Sequence, residues 1–401
     1  MPVRDVVLLS AARTPIGRYG GSFKDLHPAE LGAIAARAAI ERAGLLASDV
    51  DEVVIGHGRQ AGSGPNPGRQ VGRRAGIPDR APAQTINKAC ASSLQAIVAG
   101  AQSIMLGESE IVLAGGIESM SRMPYLIDSI DARWGHRMGN FTLVDAMYRD
   151  GFQCPLSNLI MGETAEILGR QHGITREQSD AFALESQRKA KAAIEAGHFT
   201  REIAPVAVQG RGSEETIIDR DEHPRDTTLD SLRRLPPVFG DVDGLPGIIT
   251  AGTSSGITDG GAAVVLASAD AARGRGLQPR AKILGWASAG VDPRIMGIGP
   301  VPAIQKLRER TGLALDDFDL VELNEAFAAQ VLAVLDEAPI AADRLNVNGG
   351  AIALGHPIGC TGARLIVTLL HELERRNARR GLATLCVSGG MGMALAIETI
   401  G

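Results

Sequence analysis

Short apolar runs rich in β-branched residues alternate with helical patterns in the first part of the chain. The runs at 6–9, 53–56 and 111–115 have the length of buried strands, whereas apolar residues recur at helical spacing through 30–43 and 92–106. Strands and helices that alternate in this order are typical of an α/β fold, and we expect mainly parallel strands.

The same alternation of strand-like runs and helical patterns recurs near the end of the chain. Strand-like runs lie at 281–284, 320–323 and 383–387, and helical patterns lie at 302–310 and 362–375. The chain is therefore predicted to contain two similar halves.

Two pairs of segments indicate an internal duplication. The run VVIG at 53–56 matches LVEL at 320–323, and LAGG at 113–116 matches CVSGG at 386–390. The predicted units are an N-terminal half formed by 1–120 and 250–275, an inserted loop domain at 121–249, and a C-terminal half at 276–401.

The insert breaks the strand rhythm and contains one clear helix start. Thr175, followed three residues later by Gln178, forms a capping-box pattern that predicts a long helix to about Ala196, where Gly197 ends it. We expect this helix to be structural, although its basic residues are also compatible with binding a ligand phosphate.

Composition narrows the function classes. With 401 residues, 44% of them apolar, the chain can bury substantial cores. A net charge of -5 and only 3% aromatic residues argue against nucleic-acid binding. No apolar stretch has the length of a signal peptide or a membrane span, so we expect a cytoplasmic protein that binds no membrane.

The four cysteines are Cys90, Cys154, Cys360 and Cys386. They lie far apart, without C-x-x-C spacing or a nearby histidine at metal-ligand spacing, so we expect no metal site and no disulfide framework. Each thiol is either a small buried hydrophobe or a reactive group.

Two of these segments could hold a nucleophile and its base. Cys90 lies where a polar turn gives way to an apolar helix, and a helix N-terminus favours the thiolate. A buried structural cysteine explains this position equally well. His356, fixed between Gly355 and Pro357 in a glycine-rich segment, is a suitable base, although loop histidines often serve only as hydrogen-bonding spacers.

Two further residues could complete the chemistry. Cys386 ends a strand-like run and precedes a glycine-rich turn that can supply N–H donors, so its thiol could act as an acid or base. Asn324 follows another strand-like run and could orient a water or donate to an oxyanion; taken alone it is more typical of a helix cap.

Over essentially its whole length the sequence resembles the thiolase family. The resemblance rests on ordered motifs at 12–17 (ARTPIG), 87–93 (NKACASS), 115–120 (GGIESM), 324–327 (NEAF) and 355–357 (GHP), and on Cys386 with its glycines. It implies a five-layered αβαβα fold built from two duplicated halves, with a loop domain that covers the substrate.

The resemblance also implies an activity. Members are acetyl-CoA C-acyltransferases of fatty acid metabolism, which condense acetyl-CoA with an acyl-CoA or cleave a 3-oxoacyl-CoA with coenzyme A. Cys90 would be acylated, His356 would activate it, and Cys386 would be the acid/base. Asn324 would hold a water that forms one oxyanion hole with His356, and the backbone N–H groups of Cys90 and Ser388 would form the other.

The same resemblance implies a coenzyme A site, with thioesters as substrates and no further cofactor. Ser255 would contact pantetheine and Arg225 the nucleotide phosphates, although surface arginines are commonly uncommitted. The residues expected to line the tunnel are Met161, Phe239, Ala326 and Phe327.

Two departures from the family pattern stand out. Ser388 stands where many members have glycine. Its backbone N–H can serve as an oxyanion donor only if its dihedral angles accommodate a Cβ, and we expect that they do. Ile160 stands where acetoacetyl-type members often carry histidine, which leaves the acyl-chain preference open.

Apolar residues of the segment 131–150 resemble the element that pairs dimers into tetramers. We expect a homotetramer, or a dimer if these residues pack against their own chain. Two rival functions remain at this point: a ketoacyl synthase, which normally carries histidine or asparagine in place of Cys386, and a thiolase-like binding protein or structural subunit.

Overall fold

Every predicted run coincides with an observed strand or helix, although the run at 30–43 extends one residue beyond the end of its helix at Arg42. The computed structural model describes residues 4–127, 129–210, 215–239 and 246–400. The strands are β1 (Val6–Arg13), β2 (Gly17–Arg18), β3 (Glu52–His57), β4 (Ala83–Ile86), β5 (Ile111–Ser119), β6 (Tyr125–Leu126), β7 (Val144–Asp145), β8 (Val206–Gln209), β9 (Glu215–Ile218), β10 (Thr258–Ser268), β11 (Ala281–Gly290), β12 (Leu320–Leu323), β13 (Arg380–Val387) and β14 (Met391–Thr399). The α-helices are α1 (Pro28–Arg42), α2 (Pro67–Arg74), α3 (Ser92–Leu106), α4 (Ser129–Arg133), α5 (Met161–Gln171), α6 (Arg176–Glu195), α7 (Leu229–Arg233), α8 (Ala269–Gly274), α9 (Pro300–Thr311), α10 (Ala328–Glu337), α11 (Ala351–Leu354) and α12 (Thr361–Arg376).

One sheet runs through both halves of the described chain, in the order β12-β13-β14-β11-β1-β10-β5-β3-β4, with β2 added beside β10. The halves join through a short pairing of β1 with β11, in which Val7 faces Lys282 and Leu8 faces Ala281. On each side of that joint the pairing repeats: β5 lies between β10 and β3, and β13 lies between β14 and β12.

The pairing of strands within the sheet contradicts one of the two segment matches from the sequence. Val53 on β3 lies opposite Leu113 on β5, and Leu320 on β12 lies opposite Gly381 on β13. If Val53 corresponds to Leu320, then Leu113 corresponds to Gly381, so the match of 113–116 with 386–390 is out of register.

The expectation of mainly parallel strands is wrong. Among the described pairs only β3–β4, β3–β5 and β12–β13 are parallel. The turn between β13 and β14 contains Gly389 at φ 88° and Gly390 at φ 83°, and so tight a connection forces neighbouring strands to run antiparallel. The sequence reading missed β10 and β14, whose many alanines and glycines lack a strong strand pattern.

Apolar clusters define five layers, as predicted. Residues of α3 and α12, such as Leu94 and Leu369, pack between the two halves of the sheet against Val264 on β10 and Leu395 on β14. Helices α1 and α2 cover the other face of the N-terminal strands, and α9 and α10 cover the other face of the C-terminal strands. The nucleophile segment therefore enters the central layer.

One described helical stretch, Ala89–Leu106, is long and apolar enough to cross a membrane, contrary to the sequence-based expectation. Most of it is buried, because it contains the core helix α3. A buried core helix satisfies the same length criterion as a membrane span.

The region 121–249 is tied to the N-terminal half by a buried arginine. The Arg13 guanidinium contacts Glu202 at 2.6 Å and Asp221 at 2.7 Å, and all three side chains are buried or nearly so. Asp221 precedes a segment that lines the cavity described next, so this ion-pair network fixes one wall of that cavity.

Helix α6 lies in the same region of the chain and begins at the predicted capping box of Thr175 and Gln178.

Candidate active site

A cavity of about 760 Å³ lies where the two halves meet the region 121–249. Its volume is within the range of small-molecule sites. Of the predicted site residues, Asn324 alone is absent from its lining; those that line it are Cys90, Met161, Arg225, Phe239, Ser255, Ala326, Phe327, His356, Cys386 and Ser388. Folding therefore brings the two distant thiols and the imidazole to one cavity.

Cys90 is held by a constrained turn before α3. Ala89 has φ 45°, a left-handed conformation that is costly for a residue with a Cβ. The Ser92 hydroxyl accepts the Lys88 N–H at 2.9 Å and donates to the Ala89 carbonyl at 2.6 Å. These two hydrogen bonds hold the turn in its strained conformation and fix the direction of the half-buried thiol.

The resting Cys90 is a thiol. Burial raises the pKa of Cys90, while the Arg59 guanidinium and the Ser388 N–H act in the opposite direction. The lowered pKa expected from the helix N-terminus is therefore wrong, because loss of hydration outweighs the Arg59 charge and the backbone N–H donors. Deprotonation must accompany attack on the substrate.

His356 presents a free nitrogen to react with a proton. Its Nδ1 lies 2.6 Å from the Thr361 hydroxyl oxygen, and that hydroxyl donates to the Pro357 carbonyl at 3.1 Å. Since the Thr361 proton is already used, Nδ1 must be the donor, and Nε2 carries the lone pair. Nε2 is buried without a partner among the described residues.

Burial, with the charges of Arg364 and Arg59, lowers the pKa of His356 to about 3. The imidazole is therefore neutral at physiological pH, and its burial means that Nε2 takes a proton only as the Cys90 S–H bond breaks. Gly355 precedes it at φ 101°, where a Cβ would meet Thr258 at 2.4 Å. Glycine is required there to place the histidine.

Cys386 is the penultimate residue of β13 and packs with Met161, Met296 and Ala326. Burial and the neighbouring Cys90 raise the pKa of its thiol well above the usual value. A proton held this tightly makes the corresponding thiolate a strong base, as needed to remove a proton next to a thioester carbonyl.

Ser388, two residues further on, is not among the described residues with positive φ, so its Cβ is tolerated as expected. Its N–H lowers the pKa of Cys90, against the effect of burial. The turn after β13 therefore directs a backbone donor at the nucleophile.

Asn324 is fully buried. Its N–H donates to Thr384 at 3.0 Å, but neither side-chain polar atom has a partner among the described residues. The helix-cap alternative is wrong, because Phe327 occupies the N-cap position of α10 without a side-chain cap bond. Buried amides are normally hydrogen-bonded, so this side chain is available to a bound molecule.

The far end of the cavity is built from backbone contacts. The Ser255 N–H donates to Ala326 at 3.0 Å, and the Arg225 N–H donates to the Gln187 side chain at 2.9 Å. A Cβ at Gly162 would lie 1.8 Å from the Phe239 ring, so the glycine after Met161 lets that ring form a wall. The Arg225 side chain is exposed and lines the cavity beside Arg18.

Sequence reasoning missed Thr361 and Arg59. The hydroxyl five residues after His356 was a signal that could have identified Thr361. Nothing in the pattern around Arg59 distinguishes it from a surface arginine. Among the described residues no cluster of three or more histidine, cysteine or acidic side chains could hold a metal ion.

The model of the thiolase N-terminal domain matches residues 6–270, and the model of the thiolase C-terminal domain matches residues 277–399. The chain belongs to the thiolase family. An acetyl-CoA acetyltransferase of Pseudomonas aeruginosa is 50% identical over 98% of this thiolase and 99% of its own length. One of Cupriavidus necator is 49% identical over the same shares.

Solved structures of thiolases superpose on this chain over nearly its whole length. The Bacillus anthracis acetyl-CoA acetyltransferase superposes with a TM-score of 0.95 at 45% identity, covering 100% of both chains. Human mitochondrial 3-ketoacyl-CoA thiolase in complex with CoA gives a TM-score of 0.94 at 43% identity, covering 99% of this thiolase and 98% of that chain. The five-layered arrangement is thus the thiolase fold.

Proposed function

We propose that the protein is an acetyl-CoA C-acyltransferase, which condenses acetyl-CoA with an acyl-CoA and, in reverse, cleaves a 3-oxoacyl-CoA through an acyl-enzyme on Cys90. The observation that carries this proposal is the common cavity of Cys90, His356 and Cys386. The relatives named acetyl-CoA acetyltransferase and 3-ketoacyl-CoA thiolase support it.

In the first half-reaction the Cys90 sulfur attacks the thioester carbonyl while its proton passes to Nε2 of His356. The negative charge develops on the carbonyl oxygen, and the N–H groups of Cys90 and Ser388 stabilise it. Coenzyme A leaves and takes the proton from His356. The neutral imidazole and the Ser388 donor described above suit these two tasks.

In the second half-reaction Cys386 passes its thiol proton to Nε2 of His356, and the resulting thiolate removes a proton from the methyl carbon of acetyl-CoA. A water held by Asn324, together with His356, stabilises the resulting enolate oxygen. The enolate carbon attacks the acyl-enzyme, the bond to the Cys90 sulfur breaks, and the 3-oxoacyl-CoA leaves. The departing Cys90 thiolate takes the proton held on Nε2 of His356, which restores the resting thiol. The unpartnered amide of Asn324 supports this assignment.

Coenzyme A would lie along the same cavity. Ser255 contacts pantetheine, and the exposed Arg225 meets the nucleotide phosphates; the apolar tunnel is lined by Met161, Phe239, Ala326 and Phe327. A thiol nucleophile and a thiol base supply every bond-making step, so the reaction requires no metal and no cofactor besides the coenzyme A thioesters.

The proposed organisation assigns 1–120 with 250–275 to one thiolase half, 276–401 to the other, and 121–249 to the covering domain. Trp134 and Met138 are 78% and 90% exposed, so they do not pack against their own chain. Such apolar exposure supports a homotetramer. The proposed setting is the cytoplasm, in fatty acid metabolism, without nucleic-acid or membrane partners.

The test separates the two half-reactions. Cys386→Ala should still acquire an acyl group on Cys90 from acetyl-CoA, but lose condensation and the thiolysis of acetoacetyl-CoA. Cys360→Ala is the control, because Cys360 is buried outside the cavity lining. Condensation by Cys386→Ala at the wild-type rate would contradict the assignment, and binding of acetyl-CoA by the wild type without acylation or turnover would favour a binding protein.

A further inference from the structure

Arg59 is a buried cation in the wall of the cavity that contains the nucleophile. It follows β3, is 6% exposed, and lines the same cavity as Cys90. Its Nη1 donates to the Asp150 carbonyl at 3.0 Å and its Nη2 to the Gly151 carbonyl at 2.6 Å. Its Nε has no partner among the described residues.

The backbone at Gly151 is shaped around this guanidinium. A Cβ there would lie 2.9 Å from Nε and 3.1 Å from Cζ of Arg59. The side chain therefore lies flat against a glycine, in a position that any other residue at 151 would obstruct. This fit holds the charge at one place in the cavity.

The carbonyl oxygens that hold Arg59 do not neutralise it. The nearby Glu118 carboxylate accepts the Arg59 backbone N–H at 3.2 Å and the Gly359 N–H at 2.8 Å. It also lies 3.0 Å from Nε2 of His57, although without hydrogen-bond geometry. In the part of the chain described, the Arg59 guanidinium forms no ion pair at bonding distance. The charges of Glu118 and Asp150 raise the pKa of Arg59 but do not offset its burial, which lowers that pKa, and a buried cation without a bonded counter-ion is costly.

We propose that the counter-ion of Arg59 is the Cys90 thiolate, so that Arg59 stabilises the nucleophile whenever its S–H bond breaks. The inference rests on the proposed function. The proton goes to Nε2 of His356, and the electron pair stays on sulfur until the S–C bond forms. When the acyl group is transferred, the S–C bond breaks and Arg59 stabilises the departing thiolate again.

The charges around Cys90 support this assignment. Burial raises the pKa of Cys90, and Arg59 is the largest influence in the opposite direction, whereas Glu118 acts with burial. Cys386 and His356 line the same cavity, but their own pKa values keep both neutral at physiological pH. Arg59 is thus the cation on which the thiolate depends.

The test measures the ionisation of Cys90 without substrate. The rate at which iodoacetamide alkylates the Cys90 peptide is followed against pH by mass spectrometry in the wild type, Arg59→Gln, Arg59→Lys and Gly151→Ala. Arg59→Gln should move the midpoint upward by about one pH unit or more and lower kcat/KM at least tenfold. Arg59→Lys should restore part of both.

Gly151→Ala keeps the arginine but displaces it, so it should shift the midpoint in the same direction as Arg59→Gln. Arg73→Gln removes an exposed arginine paired with Asp79 and should change nothing. An unchanged midpoint in folded Arg59→Gln or Gly151→Ala overturns the proposal. A second outcome also overturns it: an unchanged midpoint together with a rise in KM that is confined to acyl chains carrying a carboxylate. That outcome would identify Arg59 as a substrate-binding residue.

This experiment is independent of turnover. If the protein proves not to transfer acyl groups, the alkylation midpoint still reports whether Arg59 stabilises the thiolate. If the midpoint does not move while condensation proceeds normally, the proposed function stands and the role of Arg59 fails.

Discussion

His356 is held by Thr361, because its Nδ1 donates over 2.6 Å to a hydroxyl whose own proton is committed to the Pro357 carbonyl. The relationship fixes both the ring orientation and the tautomer. It leaves Nε2 as the proton acceptor facing Cys90 in the proposed mechanism.

Replacing Thr361 by Val should therefore slow acylation without weakening substrate binding. The ring loses the acceptor that holds its tautomer, so we expect kcat to fall roughly tenfold with little change in KM. Thr361→Ser keeps the hydroxyl and is the control. Steady-state kinetics check this, and a wild-type kcat in Thr361→Val would contradict it.

Asn324→Ala should affect the second half-reaction. Loss of a donor to the enolate oxygen should lower the condensation rate roughly 100-fold, while a single-turnover experiment with acetyl-CoA should still show acylation of Cys90. Equal losses in both half-reactions would show that Asn324 supports the fold or the whole site rather than the enolate.

Acid should destabilise the protein through its buried neutral histidines. Burial and the charge of Arg280 lower the pKa of His371 to about 3, from an ordinary value of 6.5. Because the pKa is lower in the folded state than in the unfolded state, the unfolded chain binds a proton first as the pH falls. The contribution of His371 to the free energy of unfolding is therefore present above pH 6.5 and is lost as the pH falls towards 3. At about pH 5 the loss from this residue is about 2 kcal/mol.

His371→Leu should therefore lose less stability between about pH 7 and pH 5 than the wild type, by about 2 kcal/mol in the free energy of unfolding. His356 contributes in the same direction and remains in the variant. Denaturant unfolding at both pH values measures the difference. An identical pH dependence in variant and wild type would rule out His371 as a source of acid sensitivity.

Ile160 should influence which acyl chains are accepted. It lines the cavity just before α5, and its N–H donates to the Glu163 carboxylate at 2.7 Å. Ile160→His should shift kcat/KM towards short 3-oxoacyl-CoA substrates, changing the ratio of short to long about tenfold. Thiolysis rates over a chain-length series measure this, with Ile160→Val as the apolar control; parallel changes at every length would exclude a role in selectivity.

The sequence predicted the elements well because apolar runs directly reflect burial. It also singled out Cys90, His356 and Cys386, which the structure brings to one cavity, since each stands in a short motif with its own chemical reason. The antiparallel pairing was missed because the small residues of β10 and β14 carry little periodic signal. Strand direction depends on connections, and the turn through Gly389 decides it locally.

The electrostatics of the site could not be predicted in the same way. The pKa of Cys90 depends on how far folding removes water from its sulfur, which no local pattern records. Arg59 lies in an ordinary polar segment and becomes a buried cation only because the chain near Gly151 covers it. Both features belong to tertiary packing.

The central claim is that acyl transfer passes through the Cys90 sulfur. Intact-protein and peptide mass spectrometry after incubation with acetyl-CoA, in parallel with Cys90→Ala, tests it directly. We expect one acetyl group, located on the Cys90 peptide, absent from the variant and removed by added coenzyme A. An acetyl group on another residue, or turnover by Cys90→Ala, would contradict the mechanism.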